Sequence, residues 1–288
     1  MTELDPRRMT AVHALMGYLP ASETSARYII MPPSTGRESS NPPRVVETIP
    51  IYDCRAVARD IDIEMAGFTL RDIAAPALDY RDADAVRAQY YPVVAALIKE
   101  TVGALAVFVF DHNIRSVEGA AAGERGVRAP VADAHDDYTE TSGPKRVRDI
   151  LAAEGRLDLA GHRAALINAW RPLRGPVKDW PLAVCDPRTV APSEFIPAAI
   201  DHYADTDLTK PNHSGEIYSM HYSPRHRWFY VADQQPDEVL VFKCYDSSVT
   251  SSSRFTPHGG FRNPTPPAAY LPRISIEARA VVIYPDHG

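Results

Sequence analysis

The sequence predicts a mainly β chain with supporting helices (α+β), folded as a jelly roll or β-sandwich. After residue 155, six segments rich in β-branched or aromatic residues follow one another, each bounded by Pro, Gly, Asp or Ser. No strand–helix alternation runs through them, which disfavours a parallel α/β sheet. The 26 prolines outnumber the 15 glycines, a sign of rigid connections between short elements. With 288 residues, 45% of them hydrophobic, the chain can bury a real core and is too apolar to be disordered.

In chain order, Ala11 to Tyr18 reads as a short helix and Pro32 to Arg44 as a loop. Arg44 to Tyr52 (RVVETIPIY) has strand-forming residues, with Pro50 weakening its end. Asp82 to Glu100 places Val86, Tyr90, Val93, Val94, Leu97 and Ile98 at helical spacing, and Pro92 inside it calls for a kink or two abutting helices. ALAVFVFDH, from Ala104, reads as a strand buried on both faces. Val117 to Ala129, rich in Gly and Ala, reads as a flexible loop and a lid candidate. Arg146 to Glu154 is a helix stopped by Gly155. The six strands are RAALINAW, PLAVCD, GEIYSMHY, HRWFYVAD, EVLVFKCYD and ISIEARAVVIY. The expected organisation is a single domain, 1–288, with a helical and extended support region over 1–103 and the β core over 104–288.

Composition excludes several function classes. A formal charge of −6 gives no basic surface for nucleic acid. No apolar run is long enough to span a bilayer, and the acidic start of MTELDPRRMT does not read as a signal peptide. Cys54, Cys185 and Cys244 are odd in number and widely spaced, which fits a reducing cytoplasm better than a disulfide framework. The phosphate loop of NTPases, the G-x-S-x-G elbow, H-E-x-x-H and G-x-G-x-x-G are all missing. The partner expected is a small molecule, and a homodimer is left open.

The chemistry sits in His135-Asp136-Asp137. In a strand, residues i and i+2 share a face, so His-x-Asp sets the His135 imidazole beside the Asp137 carboxylate while Asp136 points away. Two neutral nitrogens and one carboxylate on one face are what an O2-activating ferrous ion needs. His258, followed by Gly259-Gly260, is the third candidate ligand from a distant strand. Taken alone, H-x-D is a chance pattern more often than a metal site; the late His and a basic residue on the final strand give it weight. That residue is Arg273 or Arg279, which share strand parity. Arg273 is favoured because Arg273-Ile274-Ser275 supplies a guanidinium fork with a nearby hydroxyl, Ser275, suited to the far carboxylate of 2-oxoglutarate. Asn168 and Arg171 are candidates for touching co-substrate or substrate. Tyr218 and His221 are candidates for lining the pocket, though parity puts them on opposite faces. Trp170 reads as a core aromatic.

AHDDYT (134–139), INAWRPLRGPVKDWPLAVCD (167–186), GEIYSMHYSPRHRWFYVADQQPDEVLVFKCYDS (215–247), RFTPHGGFRNPTPP (254–267) and PRISIEARAVVIYP (272–285) resemble the CmcJ-like family of non-haem iron oxygenases. That family includes gibberellin-desaturase-like and asnovolin-oxidising proteins. The resemblance spans roughly 50–288 and keeps the family's motif order. It implies a double-stranded β-helix (jelly roll, cupin-like) that uses Fe(II), 2-oxoglutarate and O2. His135, Asp137 and His258 would hold the iron, with Arg273 or Arg279 on 2-oxoglutarate. The outcome would be hydroxylation, desaturation or cyclisation of a small natural product or amino-acid-like acid. One departure is Gly259-Gly260 where the family pattern suggests Thr-Ala, which widens the pocket or loosens the ligand loop. Three rivals remain at this level: an iron oxidase of the same fold without 2-oxoglutarate, a metal-free binding jelly roll, and a zinc hydrolase.

Overall fold

A computed structural model describes residues 4–32, 37–204 and 206–286. The middle of the expected Pro32–Arg44 loop, 33–36, lies outside the described residues. The strands are β1 (Ala11–Tyr18), β2 (Ala26–Ile30), β3 (Val45–Asp53), β4 (Phe68–Asp72), β5 (Ala106–Ser116), β6 (Val127–Arg128), β7 (His135–Asp136) and β8 (Ala164–Arg174). They continue as β9 (Leu182–Cys185), β10 (Phe195–His202), β11 (His213–Met220), β12 (Trp228–Tyr230), β13 (Glu238–Asp246), β14 (His258–Gly260) and β15 (Ile274–Ile283). The α-helices are α1 (Ile63–Ala66), α2 (Ala83–Ala85), α3 (Tyr91–Val102), α4 (Val117–Ala121) and α5 (Ser142–Ala153).

Two mixed sheets result, ordered β1-β3-β12-β9-β14-β7-β11-β10-β2 and β4-β13-β8-β15-β5-β6. At their centres, β12-β9-β14-β7 faces β13-β8-β15-β5, and every neighbouring pair within these two quartets is antiparallel. The chain crosses repeatedly from one quartet to the other, which is the winding of a jelly-roll half-barrel. Strand alternation decides what fills each side. Leu166 and Trp170 of β8, Leu240 and Phe242 of β13, and Val281 and Ile283 of β15 join the core between the sheets. Their neighbours Ile167, Ala169, Val241 and Ala280 face the other way, packing with Val94 and Ile98 of α3. Each such fully buried aliphatic side chain stabilises the fold by about 1.5–3 kcal/mol.

Several elements differ from the sequence reading. Ala11–Tyr18 is a strand, not a helix: it pairs along its whole length with β3, and Ala14, Met16 and Tyr18 alternate into a core. Pro50 does not weaken β3, because it sits opposite His13 and pairing on the other edge begins only at Ile51. The abutting helices around Pro92 are α2 and α3, joined by a π-helical turn over Val86–Tyr90. β5 is only half-buried along its apolar run, since the two-residue β6 alone flanks it on one edge. Val117–Ala129 is not wholly loop: Ser116 Oγ caps α4 through the Gly119 N–H at 3.1 Å, and β6 follows. The 1–103 region is less helical than expected and supplies β1 to β4 to both sheets.

Candidate metal centre

His258 and His135 are direct cross-strand partners, so their rings leave the same face, 4.5 Å apart between centroids. The Phe242 ring of the opposing sheet packs 4.8 Å from the His258 ring, which places the pair inside the half-barrel. Asp137 follows directly after β7. Its Oδ1 lies 3.9 Å from His135 Nε2 and 4.0 Å from His258 Nε2.

Tautomers follow from the backbone. His135 Nδ1 is 2.8 Å from the Asp133 carbonyl and His258 Nδ1 is 3.1 Å from the Thr256 carbonyl. A carbonyl only accepts, so each Nδ1 carries the proton and each Nε2 turns a lone pair toward Asp137 Oδ1. Burial first, and then the other imidazole, pushes His135 down to about 4; burial likewise lowers His258. Both are neutral near pH 7. Burial works to raise the Asp137 carboxyl, yet Arg279, the two imidazoles and Asn168 together bring it well below the ordinary carboxylate range. Two neutral nitrogens and a carboxylate within 4.8 Å of one another are a donor set that fits a divalent metal with open positions.

The other oxygen of Asp137 is held apart. Its Oδ2 accepts from Asn168 Nδ2 at 2.8 Å and from Arg279 Nε at 3.0 Å. Arg279 also meets Glu277 and Asp111. Asn168 and Arg279, expected from the sequence as co-substrate contacts, both engage Asp137. Asp136 is fully buried and its Oδ1 accepts from the Tyr138 N–H at 3.2 Å. Asp136, Cys244 and His258 also come within 4.8 Å of one another. They make a poor metal site, because burial raises both the Asp136 carboxyl and the Cys244 thiol, disfavouring their anions, and His258 Nδ1 already donates to Thr256.

Arg273 is 2% exposed, lies 5.0 Å above the Trp170 ring, and donates from Nε to Ser275 Oγ at 3.0 Å and from Nη1 to the Trp180 carbonyl at 2.5 Å. Among the described residues no carboxylate side chain forms an ion pair with it; Asp179 accepts from its backbone N–H instead. Burial, and then the charge of Arg115, pushes Arg273 down to about 9, still protonated at neutral pH. A Cβ built on Gly260 would stand 3.4 Å from Arg273 Nη1 and 3.3 Å from the Val131 carbonyl, so a larger residue there would press on the guanidinium. Trp170 Nε1 and Asn168 Oδ1 on the same face of β8 are buried without a hydrogen-bond partner. This buried cation, with no carboxylate in ion-pair contact among the described residues, fits the free carboxylate of a keto acid.

Arg171 does not reach this cavity. Strand parity turns it to the helical side, where it donates to the Pro236 carbonyl and the Tyr80 hydroxyl and stacks over Tyr80 and Tyr90. His221 lies past the end of β11, with Nε2 2.9 Å from the Glu23 carbonyl, and is withdrawn from pocket lining. Tyr218 packs between Phe195 and Phe255, and its hydroxyl accepts from the Glu140 N–H at 3.2 Å. Sequence reasoning missed Arg115, on the cavity face of β5. The signal was there: after the apolar run, Asp111, Asn113 and Arg115 alternate with His112 and Ile114, marking one polar face.

A family model described as an oxidoreductase/YMDC permease-like domain matches residues 16–283. The Fe(II)/2-oxoglutarate-dependent dioxygenase nvfI of Aspergillus novofumigatus is 32% identical over 261 residues, covering 88% of this chain and 90% of that protein. The alpha-ketoglutarate-dependent dioxygenase tstK of Talaromyces stipitatus is 31% identical over 72% of this chain and 73% of its own length. A solved structure of the iron and alpha-ketoglutarate-dependent endoperoxidase NvfI superposes with a TM-score of 0.83 at 29% identity, covering 95% of this chain and 98% of that one. The chain therefore belongs to the family of Fe(II)/2-oxoglutarate-dependent dioxygenases and hydroxylase/desaturases.

Proposed function

We propose that this chain is an Fe(II)- and 2-oxoglutarate-dependent oxygenase of small-molecule metabolism. His135, Asp137 and His258 hold the metal, and Arg273 with Ser275 receives the free carboxylate of 2-oxoglutarate. The observation that carries this reading is the meeting of two Nε2 lone pairs and one carboxylate oxygen between the sheets. Iron bound there with 2-oxoglutarate and O2 supplies oxidising power for C–H abstraction, releasing succinate and CO2. Hydroxylation places one oxygen atom of O2 in the product and the other in succinate; desaturation or cyclisation removes two hydrogens, which leave as water.

The protein's own residues set the geometry. Asn168 and Arg279 occupy Asp137 Oδ2, leaving Oδ1 for the metal. The backbone carbonyls of Asp133 and Thr256 fix both imidazole tautomers. Arg273 orients the co-substrate from its tail, and the apolar wall of Phe242 and Trp170 limits water. The uncompensated Arg273 favours 2-oxoglutarate use over an oxidase that takes all electrons from its substrate.

The substrate is a natural-product intermediate, by analogy with the hydroxylase/desaturases of the family. A cytoplasmic site of action fits the three free, buried cysteines; among the described residues no helix is long and apolar enough to cross a membrane. Anaerobic Fe(II) binding and succinate release over a panel of small acids test the reading. His135→Ala or Asp137→Ala should abolish both metal uptake and succinate, and metal uptake unchanged in either variant refutes the ligand set.

A further inference from the structure

Arg115 is a second cation at the same anion site. The β5–β15 register sets Arg115 directly opposite Ser275, so both side chains leave the same face of the sheet. Ser275 Oγ is the acceptor for Arg273 Nε, and the two guanidinium charges act on each other. Among the described residues the Arg115 side chain makes one hydrogen bond, from Nη1 to the Ala129 carbonyl at 2.8 Å. Glu277, the acid whose charge acts most on Arg115, is engaged by Arg279 Nη2 at 2.9 Å. Gly260 packs closely against Arg273 Nη1, Pro130 Cβ and the Val131 carbonyl, and Pro130 follows directly on Ala129, whose carbonyl Arg115 grips. The two arginines thus lie on either side of Ser275 on one face of the sheet, and among the described residues neither guanidinium has a carboxylate in ion-pair contact. An anion placed between two such guanidinium groups would offset their mutual repulsion.

We propose that Arg115 shares the free carboxylate of 2-oxoglutarate with Arg273 across Ser275. This rests on the co-substrate reading above and adds a binding residue to it. The rival occupant of Arg115 is an acidic group on the oxidised substrate, and the experiment separates the two. Calorimetry on the Mn(II)-loaded, anaerobic protein would compare 2-oxoglutarate with 2-oxobutyrate, which keeps the keto-acid head and lacks the second carboxylate. Arg115→Gln should weaken 2-oxoglutarate on the order of tenfold or more, the loss of a charge-assisted contact. It should leave 2-oxobutyrate and Mn(II) affinity within about twofold of wild type. Arg115→Lys, which keeps the charge and removes the fork, should show a smaller loss confined to 2-oxoglutarate, and it serves if the Gln variant does not fold. Unchanged 2-oxoglutarate affinity overturns the proposal in favour of the substrate acid. An equal loss for both ligands overturns it too, because the defect then lies at the head or in the fold. If the wild-type protein binds no 2-oxoglutarate, the co-substrate reading itself falls.

Discussion

Replacing Arg279 with Gln would expose the electrostatic logic of the metal centre. Arg279 Nε stands 3.0 Å from Asp137 Oδ2. At an effective dielectric of about 20 that attraction is about 5 kcal/mol before desolvation is counted. The partners left behind are largely buried: the Asp137 side chain is 13% exposed and that of Glu277 6%. Removing the guanidinium that the two carboxylates share costs about 3 kcal/mol in all, the low end of the usual range for breaking a buried ion pair. For a chain of this size that lowers Tm by about 6 °C. A divalent ion supplies Asp137 with a new positive partner, whereas Glu277 gains none, so about half the loss should return on metal loading. Asn168 still holds Oδ2 at 2.8 Å, which preserves the carboxylate's orientation. The Mn(II)-induced rise in Tm, read by scanning calorimetry, should therefore be about 3 °C larger in Arg279→Gln than in wild type. A rise equal to or smaller than that of wild type would refute the idea that Arg279 neutralises Asp137 in the empty site.

Gly260→Val should raise the 2-oxoglutarate KM by about tenfold with little change in metal affinity, since its side chain would crowd Arg273 Nη1; steady-state succinate assays at varied co-substrate check it. Arg171→Leu should leave that KM unchanged and lower Tm by a few degrees, because the side chain braces Tyr80 and the Pro236 carbonyl rather than the cavity. Glu238 is raised by burial but held down to about 2 overall by Arg55, the Gln235 N–H and Arg59, against an ordinary value of 4.5. Its contribution to stability is fully present above pH 4.5 and drains away as pH falls toward 2, so Glu238→Gln should flatten the acid limb of a Tm–pH curve.

Much of the site was legible because its chemistry is local. His-x-Asp and Arg273-x-Ser275 each span three consecutive residues at or beside a strand end, so both could be read from neighbouring letters. The role of Arg279 was not, since its partner Asp137 comes from the opposite sheet and only the fold reveals that distance. Arg171 failed for a related reason: INAWR carries polar residues on both faces, and parity alone did not say which face was the interior. Ala11–Tyr18 misled because Ala, Leu and Met favour helices in isolation, while pairing with β3 decides the outcome. The jelly roll was visible as a class, and so was β3; the sheet's extension by β10 and β2 was not, because a proline-containing strand and a short one carry weak patterns.

The two imidazoles sit opposite each other on adjoining strands, so their spacing is set by the ladder itself, about 4.5–5.5 Å between Cα atoms. The loops that join the intervening strands have no direct say in it. They can therefore vary in length, and with them what the enzyme recognises, without moving the two imidazoles apart.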